Sequence, residues 1–242
     1  MKRETTNKIR FVLEDILPPI LRDSFLFKGL ARLVWGKHIS ELAKFRADAP
    51  FLTEQQYEDL YRHHPRVHEG TDNSQACIEK IISDIEGTTV CDIGCGTGYL
   101  ISEVQKNCPN LDRYVGVDFV VEDAKSRDGI EYVAAKIEDL PFDDGEFDTV
   151  ICTHVIEHVL DYRKAISELR RIAKKRLIII VPREREYRYT FNPHFHFFPY
   201  THSFLRAVQP LSEEFICEDI HRDIYYRESV LWSSGKTQSK AA

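Results

Sequence analysis

The alternation of apolar and polar residues changes character along the chain. From about residue 74 to about residue 227, apolar runs of roughly five residues alternate with amphipathic segments of about ten residues. The apolar runs predict strands and the amphipathic segments predict helices. Several of these strands are apolar throughout, which is typical of a parallel sheet that helices cover on both faces. We therefore expect an α/β domain whose ligands bind beyond the carboxyl ends of the strands.

The boundaries follow from the same pattern. The predicted helices cover residues 74–85, 98–106, 162–174 and 201–209. The predicted strands cover residues 88–93, 114–118, 130–134, 147–153 and 176–181, with two further strands at 214–218 and 224–227.

The first part of the chain is apolar and basic. Apolar residues recur at helical spacing from Ile9 to Leu17, where Pro18 and Pro19 stop the helix. A second apolar and basic stretch covers residues 20–35. One interpretation is a helix packed on the main domain with its basic residues in solvent. The other is an interfacial segment, residues 9–35, that contacts an anionic membrane surface or a partner protein.

This division predicts an N-terminal helical appendage or lid over residues 1–70. The α/β domain would cover residues 71–230, and residues 231–242 would form a disordered tail.

Composition narrows the class of protein. The chain has 242 residues, of which 43% are hydrophobic and 30% charged, as in folded globular domains. Its net charge of −6 argues against a nucleic-acid partner. The six cysteines form no C-x-x-C pair and lie mostly in apolar runs, and no signal peptide is evident, so we expect a cytoplasmic protein with reduced thiols.

A cluster of glycines follows the first predicted strand. Gly94, Gly96 and Gly98 let the backbone approach a ligand closely, and the following helix offers its unpaired N–H groups. Tyr99 stands where a dinucleotide-binding sequence would have its third small residue. Asp92, at the strand end, would repel a pyrophosphate but attract a ligand with an amino group and a positively charged sulfur.

A second acidic residue supports this interpretation. Asp118 ends the second predicted strand, twenty residues after Gly98. A carboxylate at this position accepts hydrogen bonds from ribose hydroxyls.

At these residues the chain resembles the class I S-adenosylmethionine-dependent methyltransferases, and its acidic Leu-Pro-Phe segment, residues 138–148, is similar to theirs. The resemblance implies a Rossmann-like, seven-stranded, mostly parallel sheet with S-adenosylmethionine over strands one to four. Lys136 stands where the family often has an acid that binds the adenine amino group. The residues that the resemblance implies for the cofactor site are Asp92, Gly94, Cys95, Gly96 and Gly98 for the methionine half, Asp118 for the ribose, Ile137 and Glu138 beside the adenine, and Thr153.

Histidines follow the fourth predicted strand. His154, Glu157 and His158 share one face if their segment forms a helical turn. Histidine is the usual general base near neutral pH, and a His/Glu/His set at this spacing is also a pattern of metal ligands. A third interpretation is that Glu157 and His158 only cap the turn and pack against the cofactor.

A second group of histidines follows the fifth strand. His194 and His196 alternate with aromatic residues, which predicts that both lie on one side of the loop. In this fold the loop lies near the loop after strand four, so His196 could reach Glu157 and His158.

These two groups resemble a narrower set of enzymes, the methyltransferases that modify one hydroxyl of a vicinal diol. The resemblance implies a divalent metal held by His154, Glu157, His158 and His196. His154 departs from the pattern, which has Glu there, and imidazole favours Zn²⁺, Fe²⁺ or Mn²⁺ over Mg²⁺. The alternatives are a metal-free general base, His158 or His196, and histidines that only position the substrate.

The acceptor follows from the same residues. Arg183, Arg185 and Arg188 lie after the fifth strand and could bind a phosphate or carboxylate. With the aromatic residues around them, they indicate a hydroxyl on a sugar, a glycolipid precursor or another small molecule. An RNA 2′-hydroxyl and a noncatalytic, cofactor-binding regulatory subunit are the alternatives. The basic N-terminal stretch adds an expected location at the inner membrane face.

Overall fold

A seven-stranded sheet forms the centre of the protein. The structure is a computed structural model that describes residues 9, 11–27, 29, 48–53, 55–56, 70–119, 128–188 and 193–230. The strand order is β3-β2-β1-β4-β5-β7-β6. In this sheet β7 runs opposite to the other six strands. The strands are β1 (Thr89–Ile93), β2 (Arg113–Asp118), β3 (Ile130–Ala134), β4 (Phe147–Thr153), β5 (Ala173–Pro182), β6 (Phe215–Ile220) and β7 (Asp223–Ser229).

The described helices flank this sheet or precede it. In chain order they are α1 (Pro19–Arg22), α2 (Gln75–Asp84), α3 (Tyr99–Asn107), α4 (Tyr162–Ile172) and α5 (Thr201–Ala207). The seven-stranded Rossmann-like sheet expected from the sequence is confirmed.

The largest departure from the predicted boundaries lies at the start of β5. The sequence pattern extends the preceding helix to residue 174, because lysine favours helices. In the structure α4 ends at Ile172, and Ala173 already pairs with Phe147 of β4. Pairing with a buried neighbouring strand therefore overrides the local helix propensity.

Both faces of the sheet are covered, and strand residues alternate between two cores. On one face, Ile151 of β4 and Ile178 of β5 pack with the buried residues of α2 and α3. On the other face, Val150 and Ile179 pack with those of α4 and α5. This two-sided burial explains why residues 177–182 of β5 are all apolar.

The described part of the N-terminal segment contacts the α/β domain through ion pairs. Arg222, in the turn between β6 and β7, donates to Glu14 Oε2 and Asp15 Oδ2, both at 2.8 Å. Arg22 is buried, and its guanidinium lies 5.0 Å from the centre of the Tyr187 ring. Arg22 therefore does not face solvent as expected for the basic residues of this segment.

The segment begins as the sequence predicts. A π-helical turn covers Val12–Ile16, and α1 starts after Pro18. Residues 30–35 and the predicted tail, 231–242, lie outside the described residues. None of the helices among the described residues has the length and hydropathy needed to cross a bilayer. The membrane contact of residues 9–35 stays a prediction.

A buried ion pair ties α4 to the β7 end of the sheet. Arg170 donates to both oxygens of Glu228, each at 2.7 Å, and to the carbonyl of Val208 at 2.8 Å. The Tyr226 hydroxyl donates to Glu228 Oε2 at 2.6 Å. Glu228 is only 2% exposed, so every one of these groups depends on the others for its hydrogen bonds.

Replacing the arginine should therefore destabilise the fold. We expect Arg170→Met to lower the free energy of unfolding by about 3–5 kcal/mol, because it leaves a buried carboxylate unpaired. Urea denaturation measures the change. Lys106→Met is the matched control, since Lys106 pairs with Glu103 on the exposed face of α3 and its loss should leave the midpoint unchanged. Equal midpoints for the two variants would contradict the role assigned to Arg170.

Candidate active site

The site lies where the winding of the sheet reverses. The chain proceeds outward from β1 to β2 and β3, and then returns to place β4 on the other side of β1. The loops after β1 and β4 therefore leave the sheet side by side and turn in opposite directions, which opens a crevice between them. The glycine cluster lies on one side of this crevice and residues 154–158 lie on the other.

Two glycines of the cluster are required by geometry. Gly94 and Gly98 have φ angles of +79° and +81°, in the left-handed region. A Cβ on Gly94 would collide with the side chain of Val155, and one on Gly98 would collide with the hydroxyl of Tyr132. The contact between Gly94 and Val155 joins the loop after β1 directly to the segment after β4.

The end of β2 holds the glycine loop in place. The N–H groups of Gly94 and Cys95 donate to the carbonyl of Val117, at 2.7 and 2.9 Å. The N–H of Gly96 donates to Asp118 Oδ2 at 2.7 Å. Asp118 thus shapes the loop, a role that the sequence analysis missed, and its contact with a ribose stays a prediction.

Asp92 is a buried carboxylate at the floor of the crevice. It is 1% exposed, and its Oδ2 atom has no hydrogen-bond partner among the described residues. Burial, together with the negative charge of Asp118, raises the pKa of Asp92 to about 7. An acceptor atom held in this way suits a cationic or N–H-donating ligand group, such as the amino group of S-adenosylmethionine.

The predicted adenine edge lies in the turn after β3. Ile137 is buried in the core and Glu138 is half-buried. The Lys136 ammonium lies 5.7 Å from the centre of the Phe119 ring. Phe119 follows Asp118 directly and was not singled out from the sequence.

The end of β4 is fixed by a residue from before β1. Asn73 Nδ2 donates to Thr153 Oγ1 at 2.9 Å. Asn73 is 6% exposed, and its Oδ1 atom has no hydrogen-bond partner among the described residues. Sequence reasoning missed Asn73, because its position beside β4 depends on a contact between residues eighty apart.

The chain turns sharply after Thr153. His154 has a φ angle of +55°, and a short 3₁₀ turn, Ile156–His158, follows. A non-glycine residue in the left-handed region costs of order 1–3 kcal/mol, so the surrounding contacts must hold His154 in this conformation. The turn brings both His154 and His158 close to Glu157. His154 Nδ1 lies 3.8 Å and His158 Nε2 lies 3.9 Å from Glu157 Oε1.

Glu157 is the second buried carboxylate of the site. It is 1% exposed, and neither side-chain oxygen has a hydrogen-bond partner among the described residues. Burial raises its pKa to about 7, although the nearby His194 opposes the shift.

His158 and His194 meet above this carboxylate. Their rings are in edge-to-face contact, with centroids 4.6 Å apart. His158 Nδ1 lies 3.2 Å from the carbonyl oxygen of Pro193, and His194 Nδ1 lies 2.7 Å from Oε2 of the buried Glu184. The partnership of Glu184 with His194 was not foreseen, because the sequence shows Glu184 only as one acid among many basic residues.

His194 takes the place that the sequence analysis gave to His196. The backbone N–H groups of Phe195 and His196 donate to the Glu157 carbonyl, so the loop does reach the turn. The ring of His196, however, packs on Tyr162, and its Nε2 lies 2.9 Å from the carbonyl of Val159. The two histidines do not share one side, because the loop is not an extended strand and strict alternation does not hold.

Fold and site together define a class of protein. The protein combines this strand order with a glycine loop between β1 and α3 and an acid at the end of β2. Residues 91–181 also match the family described as "Methyltransferase domain". Over residues 91–181, the resemblance to the class I S-adenosylmethionine-dependent methyltransferase superfamily that the sequence indicates is confirmed.

Curated relatives share part of the sequence. The chain is 33% identical over 98 residues to a 2-phytyl-1,4-naphtoquinone methyltransferase of Trichormus variabilis, covering 36% of this chain and 43% of that protein. It is 34% identical over 105 residues to the ubiquinone/menaquinone biosynthesis C-methyltransferase UbiE of Geotalea uraniireducens, covering 39% and 45%. The match thus spans less than half the length of these relatives.

Solved structures share the fold. The PH0226 protein of Pyrococcus horikoshii superposes with a TM-score of 0.53 at 20% identity, covering 72% of this chain and 99% of that protein. The CurJ carbon methyltransferase gives a TM-score of 0.51 at 14% identity, covering 64% and 52%. At these identities the likeness concerns the fold alone.

The buried Asp92 carboxylate should make the ligand-free protein less stable at high pH. Its pKa is about 7 in the folded protein and 3.8 as the ordinary value, so the folded state binds the proton more tightly. The stability contributed by this proton is complete below about pH 4 and is lost as pH rises through 7. Asp92→Asn should therefore melt above wild type at pH 8, by roughly 2–4 °C for each kcal/mol, and the difference should shrink toward pH 5.

Thermal melts of the ligand-free proteins at the two pH values measure this. Asp112→Asn is the control, since Asp112 is an exposed acid just before β2 and its variant should melt as wild type does. A wild-type advantage at pH 8 would show that the Asp92 carboxylate is stabilised by its surroundings rather than by a ligand.

Proposed function

We propose that this protein transfers the methyl group of S-adenosylmethionine to a small-molecule acceptor. One observation carries the proposal: a buried Asp92 carboxylate lies next to the glycine loop that Asp118 holds. One oxygen atom of Asp92 has no hydrogen-bond partner among the described residues. A cofactor with an ammonium group, a sulfonium and a ribose matches these three features. The match of residues 91–181 to the methyltransferase-domain family supports the same cofactor.

The chain's own residues would divide the work as follows. Asp92 and the glycine loop hold the methionine half, and Asp118 holds the ribose. Ile137, Glu138 and Phe119 border the adenine. The bound cofactor supplies an electrophilic methyl group, so the protein's task is to orient the acceptor in line with it and to exclude water.

We place the acceptor at the histidines after β4 and β5. His158 is partly exposed, while Glu157 and His194 beneath it are buried, so His158 is the group of this cluster nearest to an incoming ligand. A hydroxyl placed there can give up its proton to the His158 imidazole as the hydroxyl oxygen becomes the nucleophile. We infer a hydroxyl on a sugar-like or other small molecule, with Arg185, which lies beside the Tyr200 ring, as a contact for an anionic substituent.

A second candidate acceptor is a ring carbon of a quinol. The names of the curated relatives, which are quinone methyltransferases, favour it. Loss of the proton from a ring hydroxyl makes the neighbouring ring carbon nucleophilic, so the same histidine cluster would serve. The two candidates differ in where the methyl group is found in the product.

Cofactor binding tests the first step. Asp118→Ala should weaken S-adenosylmethionine binding by about 1–3 kcal/mol, because it removes the ribose acceptor and releases the Gly96 N–H. Asp118→Asn keeps an oxygen for Gly96 and should lose less. Calorimetric titration of both variants, with Asp112→Ala as the control, measures the effect. Binding of NAD in preference to S-adenosylmethionine by the wild type would overturn the proposal.

Turnover tests the acceptor. A panel of sugar diols, catechols and hydroquinones is offered with labelled S-adenosylmethionine, and the product methyl group is assigned by NMR as an ether or a ring methyl. His158→Gln should lower turnover of the accepted compound by about 10²–10⁴-fold while cofactor affinity is unchanged. His202→Gln, an exposed histidine of α5, is the control. Full activity in His158→Gln would remove the cluster from the reaction.

A further inference from the structure

Three side chains beside the cofactor crevice have the composition of a metal site. Glu157, His158 and His194 each offer one ligand atom, and these atoms lie within 4.8 Å of one another. Two of them come from the turn after β4, and His194 comes from the loop after β5. The cluster is therefore assembled by the sheet topology, and hydrogen bonds from that loop to the Glu157 carbonyl hold it together.

The Glu157 carboxylate gives an independent indication of a ligand. It is 99% buried, and neither oxygen has a hydrogen-bond partner among the described residues. Its nearest basic atoms are imidazole nitrogens at 3.8 and 3.9 Å, which is too far for a hydrogen bond. A buried carboxylate without a hydrogen-bond partner lowers the stability of the folded protein unless a cation binds to it.

The two imidazoles are oriented for coordination. His158 Nδ1 faces the Pro193 carbonyl, and His194 Nδ1 faces the Glu184 carboxylate. A neutral histidine that donates from Nδ1 carries its lone pair on Nε2. A buried carboxylate behind a histidine, as Glu184 is behind His194, is the arrangement that fixes the tautomer of metal-ligating histidines.

We propose that Glu157, His158 and His194 bind one divalent transition-metal ion. Metal–ligand distances of about 2.0–2.2 Å place tetrahedral ligand atoms roughly 3.3 Å apart, so separations of up to 4.8 Å need to contract by up to about 1.5 Å. Two imidazoles and one carboxylate favour Zn²⁺, Mn²⁺ or Fe²⁺ over Mg²⁺ and Ca²⁺. The site uses His194, with Glu184 behind it, in place of the His196 that the diol-enzyme resemblance implies.

Three protein ligands leave coordination positions open toward His158, the most exposed member. If the proposed methyl transfer holds, His158 would act as a ligand rather than as the proton acceptor. An acceptor hydroxyl in an open position would then lose its proton to solvent more readily, because a bound cation stabilises the resulting oxyanion. The binding of the ion itself does not depend on that function, so the two proposals can fail separately.

Titration with Co²⁺ and Zn²⁺ tests the site. Chelator-treated full-length protein should bind a single equivalent of Co²⁺ with visible absorption, and Zn²⁺ should displace it. Glu157→Gln, which replaces a carboxylate that makes no described hydrogen bond, should weaken Zn²⁺ binding by at least tenfold. Glu184→Gln keeps all three ligands and should weaken it by about 10–100-fold. Calorimetric S-adenosylmethionine affinity should stay unchanged in both variants.

His196→Gln is the matched control, because it changes an imidazole of the same loop whose ring faces Tyr162. It should retain wild-type Zn²⁺ affinity. The proposal is overturned if the wild type binds no ion, or if Glu157→Gln and Glu184→Gln bind Zn²⁺ as tightly as wild type. Loss of the ion in His196→Gln alone would overturn this ligand set. If Glu184→Gln does not fold, Glu157→Gln decides.

Discussion

The reversal of strand order between β1 and β4 is the constraint on which the site depends. Because β1 pairs in parallel with both β2 and β4, the chain segments that leave β1 and β4 start side by side and must separate. The glycines of one segment exist to bring its backbone within reach of the other. The contact of Gly94 with Val155 shows how close this approach is, since not even a methyl group fits between them.

Two carboxylates are buried beside this crevice at a cost to the stability of the fold. Asp92 and Glu157 are each about 1% exposed, and both have pKa values near 7. Elsewhere in the described protein a buried acid such as Glu228 is fully paired by Arg170 and Tyr226. Glu228 therefore stabilises the packing of the fold, whereas Asp92 and Glu157 are the buried acids beside the crevice that have oxygen atoms without a described hydrogen-bond partner.

Much of the fold could be predicted from the sequence, because it rests on local patterns, and so could the position of the glycine loop after β1. Apolar runs locate the strands, and the glycine loop with Asp92 lies within seven residues. The side of the crevice that carries residues 154–158 could not be predicted from local patterns. Asn73 meets Thr153, and Glu184 meets His194, through pairings that the folded loops create. The choice of His194 over His196 depends on a loop conformation to which no periodicity applies.

The two sides of the crevice are therefore supported by different parts of the sheet. Hydrogen bonds from the end of β2 shape the side of the crevice that carries the glycine loop. The loop after β5 shapes the side that carries residues 154–158, through the Glu157 carbonyl and the Glu184–His194 pair. Val155 lies between them, in contact with Gly94 and one residue before the turn that carries Glu157. The Val155 side chain therefore links the packing of the glycine loop to the turn that carries Glu157.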